Sequence, residues 1–142
     1  MCLEINHKTA VRIRRRFAAS KKPYILGYKV ITVDNHSHMF DHNWNTNGVH
    51  KSTRHHARVY CYEYKHGSIY YSYKHGVVYK GFHVFLNKSS AQKEVLCHLS
   101  TPMKVIQVRC RPEHFVAAGK AYGHVDAAVF TKVEYWGFKA NG

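Results

Sequence analysis

Acidic residues are scarce in this chain: 8 Asp and Glu stand against 22 Lys and Arg, which gives a net charge of +14 with His neutral. Carboxylates this few and scattered form no paired motif for general acid and base chemistry. The excess of positive charge favours association with polyanions. We therefore expect a nucleic acid or a nucleotide as partner, and a non-enzymatic binding module as the function.

Several other signals are absent as well. The chain has no GxSxG, P-loop or GxGxxG motif. Its cysteines form no CxxC pair, so neither a zinc ribbon nor a thioredoxin-like site is indicated. No apolar run approaches the roughly 18 residues of a membrane span, and no apolar stretch follows the basic start as in a signal peptide. We expect a cytoplasmic protein with no membrane partner and no cofactor.

The composition is that of a folded chain. At 142 residues the length is close to that of a common single domain and suffices for one hydrophobic core. Hydrophobic residues make up 45% and there are only 3 Pro, which argues against disorder. We expect one α+β domain over residues 1–142.

The N-terminal part predicts a helix, a strand and a loop. Residues 8–20 read as a short helix with an apolar stripe, although alternation within KTAVRIRRRFAAS also fits a strand. The β-branched and aromatic residues of 24–33 predict a strand that ends at Asp34 and Asn35. Residues 35–56 show little periodicity and predict a long loop, the type of segment that often carries a site.

The most aromatic segment contains YKHG twice, at 64–67 and 73–76. Gly after His suits a hairpin turn, because Gly takes positive φ without steric cost. Turns at both repeats predict a three-stranded meander. With a two-residue turn at His66 and Gly67, Tyr64 faces Ile69 and Tyr62 faces Tyr71, which forms an aromatic ladder on one face.

Residues 81–110 predict a β-α-β unit. A strand over 81–86 leads into a helix capped by Asn87 or Ser89, with an apolar face formed by Val95, Leu96 and Leu99. A strand over 103–110 follows, and its partner in such a crossover is parallel to it, either adjacent or with one strand between. Residues 111–124 predict a connection and 127–138 a final strand. We therefore predict a mixed β-sheet with one firm helix.

Basic side chains next to aromatic rings suggest how a phosphate-bearing partner binds. Cationic donors hold phosphate oxygens and aromatic faces stack on bases. The predicted phosphate-binding residues are Arg14, Arg15, Arg16, Lys51, Arg54 and Arg58. The predicted stacking residues are Trp44, Tyr62, Tyr71 and Tyr73.

The alternative function is a His-dependent metal phosphodiesterase or nuclease. HSHMFDH follows the strand over 24–33 and places His36, His38, Asp41 and His42 close together, and such imidazoles and carboxylates ligate Zn²⁺ or Mn²⁺. The motif is similar to the HxHxDH of metallo-β-lactamase-like hydrolases, from which it departs by one inserted residue. A looser site would use His50, His55 or His56.

The order of short motifs resembles that of small uncharacterised phage and prophage proteins. The matching motifs are an MCL start at 1–3, a YKV strand at 28–30, a GFH-aromatic strand at 81–85, Ala91 in a helix, and a late strand at 105–110. The resemblance implies a phage accessory or anti-defence protein in the host cytoplasm, and carries no catalytic residues. An inhibitor of an acidic host protein is the second alternative function, since complementary charge speeds association.

Overall fold

The computed structural model describes residues 3–37, 42–52, 57–66, 69–78, 81–97, 100–122 and 125–139, with backbone alone over 57–66 and 69–78. The elements are β1 (Leu3–Ile5), α1 (His7–Ala19), β2 (Ile25–Thr32), β3 (Gly48–Lys51), β4 (Ala57–His66), β5 (Ile69–Val78), β6 (Phe82–Phe85), α2 (Lys88–Cys97), β7 (Met103–Cys110), β8 (Phe115–Ala121), β9 (Val125–Phe130) and β10 (Lys132–Tyr135).

The strands form one 10-stranded sheet in the order β3-β10-β7-β2-β6-β9-β8-β1-β5-β4. Two helices pack on it, so the predicted α+β class is confirmed. Each pairing among the described strands is antiparallel. The expectation of a mixed sheet was therefore wrong.

The predicted β-α-β unit is confirmed as β6, α2 and β7. Strand β2 lies between β6 and β7 and is antiparallel to both, so the two run parallel with one strand between them. The apolar face of α2 was predicted incorrectly, since Leu96 is 74% exposed and Ala91 is the buried contact. Leu99 lies outside the described residues.

The sheet curls on itself at Thr131. This one residue separates β9 from β10, yet the two strands stand four positions apart in the sheet. A flat sheet would place them roughly 19 Å apart at about 4.8 Å per strand, which a one-residue link does not span. The predicted strand over 127–138 is thus two strands that close β7, β2 and β6 into a tight curl.

The inside of this curl holds the main core. Its buried side chains come from the inward positions of β2, β6, β7, β9 and β10, with Trp44 from the segment before β3. A smaller cluster around Phe85 and Ala91 lies under α2. The molecule therefore has α2 on the outer face of the sheet and its main core inside the curl.

Helix α1 confirms the helical interpretation of residues 8–20. The Asn6 side chain caps it by accepting from the Thr9 amide at 3.2 Å. Ile13 is fully buried, and Phe17 packs edge-on against Phe115 and Phe130. The predicted apolar stripe is therefore the face that docks onto the core.

The tyrosine repeat forms one hairpin and not a meander. Strand β5 continues through the second YKHG, and its end at Val77 and Val78 pairs with β1. Tyr64 pairs with Tyr71, and Tyr62 with Tyr73. The register thus differs from the predicted one by two residues.

Two predicted irregular segments contain strands. Residues 115–121, predicted as a connection, form β8 between β1 and β9. The loop predicted over 35–56 contains β3, together with two isolated bridges that join Ile31 to Ser37 and His36 to Asn43. Each segment also pairs with a strand distant in sequence, β8 with β1 and β3 with β10.

Candidate functional site

Trp44, predicted to stack on bases, lies in the core. It is fully buried, donates from Nε1 to Ser37 Oγ at 2.9 Å and stacks on the His50 ring at 4.7 Å between centroids. No face of this indole is available to a ligand in this conformation. The prediction for Trp44 was therefore wrong.

The three arginines of α1 that were predicted to bind phosphate differ in exposure. Arg14 and Arg15 are exposed on α1. Arg16 is half-buried and donates to the backbone carbonyls of Leu86 and Leu26 at 3.0 and 3.4 Å. Arg16 therefore has a structural role, and its guanidinium, predicted to hold phosphate, is engaged by the protein's own carbonyls.

Other predicted residues fall partly outside the described atoms. Lys51 is exposed on β3. Arg54 lies outside the described residues, and so do the side chains of Arg58, Tyr62, Tyr71 and Tyr73. Their assigned roles stay predictions.

The histidines do not assemble a metal centre within the described residues. No group of three His, Cys, Asp or Glu side chains there could hold a metal ion. His36 donates from Nδ1 to the Asp34 carbonyl at 3.0 Å, whereas His42 faces His50 at 2.8 Å between ring nitrogens. His38, Asp41, His55 and His56 lie outside the described residues.

Strands β10, β7 and β3 present a basic outer face. On β10 the buried Val133 and Tyr135 alternate with Lys132, Glu134 and Trp136, which therefore point outward. On the neighbouring strands the outward positions include Gln107, Arg109 and Lys51. Helix α2 packs over β2, β6 and β7, beside this region.

An open cleft of about 420 Å³ lies on this face. We call it the Trp136 cleft; it is lined by Val105, Ile106, Gln107, Arg109, Glu134, Tyr135, Trp136 and Gly137. Trp136 is 57% exposed, which is unusual for so large an apolar side chain. The cleft thus combines an exposed indole with a guanidinium.

Around the cleft, the one carboxylate of Glu134 stands among several cations. Arg111 donates from Nε to Glu134 at 2.8 Å and holds the pKa of that carboxyl below its usual range. Arg109 lies with its guanidinium 4.8 Å from the centre of the Tyr24 ring. Lys132 and Lys51 are directly opposite each other across the β10–β3 pair. Opposed like charges repel, so a bound anion would stabilise them.

The backbone next to Trp136 is fixed by Asn47. Its side-chain amide donates to the Phe138 carbonyl at 3.0 Å and accepts from the Phe138 amide at 2.8 Å. These two bonds extend the β3–β10 ladder beyond Tyr135 and Gly48, the last pair in register. The indole therefore stands on a rigid strand end, as precise stacking requires.

A second polar group, missed from the sequence, lies inside the curl. We call it the Lys29 cluster; it consists of Lys29, His42, Trp44, His50, Phe82 and Tyr135. The Lys29 ammonium lies 5.9 Å from the centre of the Trp44 ring and 5.8 Å from that of Phe82. The signal was available in the sequence, since Lys29 is in phase with the inward Ile25, Gly27 and Ile31.

Comparison with known proteins gave no relative: no family model, no curated protein and no solved structure matches the chain. Of the helices in the described residues, neither is long and apolar enough to cross a membrane.

Proposed function

We propose that the protein binds a phosphate-bearing partner, a single-stranded nucleic acid, at the Trp136 cleft. The observation that carries the proposal is the exposed indole of Trp136 beside Arg109 on a face where cations outnumber carboxylates. Stacking on an aromatic face together with cationic contact to phosphates is how proteins bind single strands without reading sequence.

The spacing of the groups favours an oligonucleotide over a mononucleotide. Trp136 follows Lys132 by four residue steps of extended chain, about 13 Å at roughly 3.3 Å per residue. A ligand with one base and its own phosphate does not contact both. A strand that stacks one base on Trp136 would place later phosphates near Lys132 and Lys51.

The experiment uses the two tryptophans of the chain as a built-in comparison. A 12-nucleotide single strand is titrated while tryptophan emission and oligonucleotide anisotropy are followed together. We expect quenching of Trp136, which a Trp136→Phe variant removes while the buried Trp44 still emits. Trp136→Ala should weaken binding by about 5- to 150-fold, the range for loss of one stacked base.

A pair of double variants locates the phosphate contacts. Lys51→Gln with Lys132→Gln should weaken binding and reduce the slope of log K against log salt by about 1.4, at roughly 0.7 per phosphate on a single strand. Arg14→Gln with Arg15→Gln removes the same charge from α1 and should change binding less. Equal losses of affinity in the two variants, with unchanged Trp136 emission, would show non-specific attraction. The cleft would then be rejected as the binding site.

A further inference from the structure

Lys29 carries an amine at a position of the core where an apolar side chain is usual. It occupies an inward position of β2, between Ile25 and Ile31, both buried in the main core. Its ammonium donates to the His83 carbonyl at 2.8 Å and otherwise lies over the rings of Trp44 and Phe82. An ammonium has three donors, and this one uses a single protein acceptor among the described residues.

The described residues around Lys29 supply no negative charge. Within the described residues no carboxylate lies at ion-pair distance from it. The nearby thiol of Cys110 is neutral, because burial raises its pKa to about 12. His42 is neutral as well, since burial, His50 and Lys29 together lower its pKa to about 4.

The two histidines are held in a fixed arrangement. His50 donates from Nε2 to the Thr46 carbonyl at 2.8 Å, and its Nδ1 lies 2.8 Å from Nε2 of His42. The rings of His42 and His50 pack against Trp44 and complete an aromatic wall. Burial without a counter-ion favours the uncharged amine, and the pKa of Lys29 is lowered by this desolvation to about 8.

We propose that Lys29 is a nucleophilic amine that condenses with a small aldehyde or ketone inside the curled sheet. The neutral amine nitrogen attacks the carbonyl carbon, and the carbonyl oxygen takes up a proton to give a carbinolamine. Loss of that oxygen as water, after a second proton transfer, leaves a C=N bond to Nζ. Amine and carbonyl thus give imine and water, with no change in oxidation state. This site is separate from the Trp136 cleft and does not depend on the function proposed there.

Two features of the site suit this chemistry. Lys29 as a residue is only partly buried, so part of it stays in contact with solvent. The rings of Trp44 and Phe82 exclude bulk water from the carbon that becomes an imine, and desolvated lysines are the type that form Schiff bases.

The test uses the native chain, so no variant has to fold. Acetaldehyde with cyanoborohydride at pH 7 reduces each imine to an N-ethyl group, and peptide mass spectrometry gives the rate at every lysine. A fall in pKa from 10.5 to about 8 raises the free-amine fraction at pH 7 roughly 300-fold. Because a less basic amine is also less nucleophilic, we expect Lys29 to react about tenfold or more faster than the exposed Lys51.

The pH dependence of labelling and its response to urea test the proposal further. The rate at Lys29 should reach half its maximum near pH 8, and its lead over Lys51 should vanish in denaturing urea, where the aromatic wall is lost. Labelling of Lys29 no faster than that of Lys51 in the folded chain would overturn the proposal. So would a Lys29 rate that increases on unfolding, since the folded core would then protect the amine instead of activating it.

Discussion

Arg16 and Lys29 bridge the same pair of strands from its two ends. One Cα pair, Tyr28 with Phe85, is in register between β2 and β6. Beyond it on one side the Arg16 guanidinium joins the Leu26 and Leu86 carbonyls, and on the other side Lys29 reaches the His83 carbonyl. Two cationic side chains thus supply hydrogen bonds where the backbone ladder is short.

The first prediction concerns Arg16. Arg16→Met keeps most of the packing volume but leaves the Leu26 and Leu86 carbonyls without these donors. We expect the free energy of unfolding to fall by about 1.5–3 kcal/mol, the range for hydrogen bonds to a charged group. Urea denaturation measures it. Arg14→Met, at an exposed position of the same helix, should change stability by less than about 0.5 kcal/mol, and an equal loss there would refute the bridging role.

The second prediction concerns pH and His42. Its pKa in the fold is about 4, against 6.5 when unfolded, so between these values the unfolded chain binds more protons. Stability should therefore be highest above about pH 6.5 and fall as the pH is lowered towards 4. Because the ring is partly exposed, we expect a loss of about 1–2 kcal/mol, less than the full linkage value.

His42→Phe provides the control for this pH effect. It keeps a ring against Trp44 and Phe82 and removes the titrating group. Urea denaturation of both proteins from pH 4 to 7 should show a shallower pH dependence in the variant. Parallel curves would assign the effect to other groups.

The third prediction concerns Asp126, which joins α1 to β8 and β9. Burial alone would raise its pKa, but hydrogen bonds from Lys120, Arg12 and Thr9 outweigh this and hold the pKa below 3.8. A depressed carboxyl pKa stabilises the fold above the unfolded value and loses that effect as the pH falls through the folded value. Thermal unfolding of Asp126→Asn should therefore show a lower Tm at pH 7 and a smaller decrease below pH 3.8 than the wild type. An identical acid decrease would refute the assignment.

The fourth prediction compares two glycines. A Cβ on Gly119 would overlap the backbone carbonyl of Glu4, which is held in the β1–β8 pairing. Gly119→Ala should therefore cost about 3 kcal/mol or more, because paired strands must separate. Gly48 has φ of +112° but open space around it, so Gly48→Ala should cost about 1–2 kcal/mol of backbone strain. The reverse order in urea denaturation would contradict the close approach of β1 to β8.

Strong local patterns were sufficient to predict several elements. The alternation of MKVIQVRC matches β7 at both ends, and the β-α-β unit followed from its cap and its strands. Strand β8 was missed because Ala and Gly have low strand propensity, and burial between β1 and β9 overrides that preference. The local sequence predicted a turn at His75 and Gly76, but these residues pair with Tyr60 and Val59 and continue the strand.

The functional sites were harder to predict from the sequence than the helices and strands. Trp44 stands in a polar segment that gives no sign of entering the core. Trp136 was identifiable only from the phase of β10, which depends on where the strand breaks at Thr131. Arg109 and Lys51 are brought to the same face by pairing of β10 with strands over 20 residues away, which no local pattern contains.

The single-residue link at Thr131 makes the β10–β7 pairing and the pairings of β9 mechanically dependent on one another. Pulling β10 away from β7 also displaces β9, which is hydrogen-bonded to β6 and β8. The β10–β7 pair therefore does not open separately from the pairs that β9 forms with β6 and β8. Amide protons of β2, β6, β7 and β9 should accordingly exchange with solvent as one cooperative unit, at the rate of global unfolding.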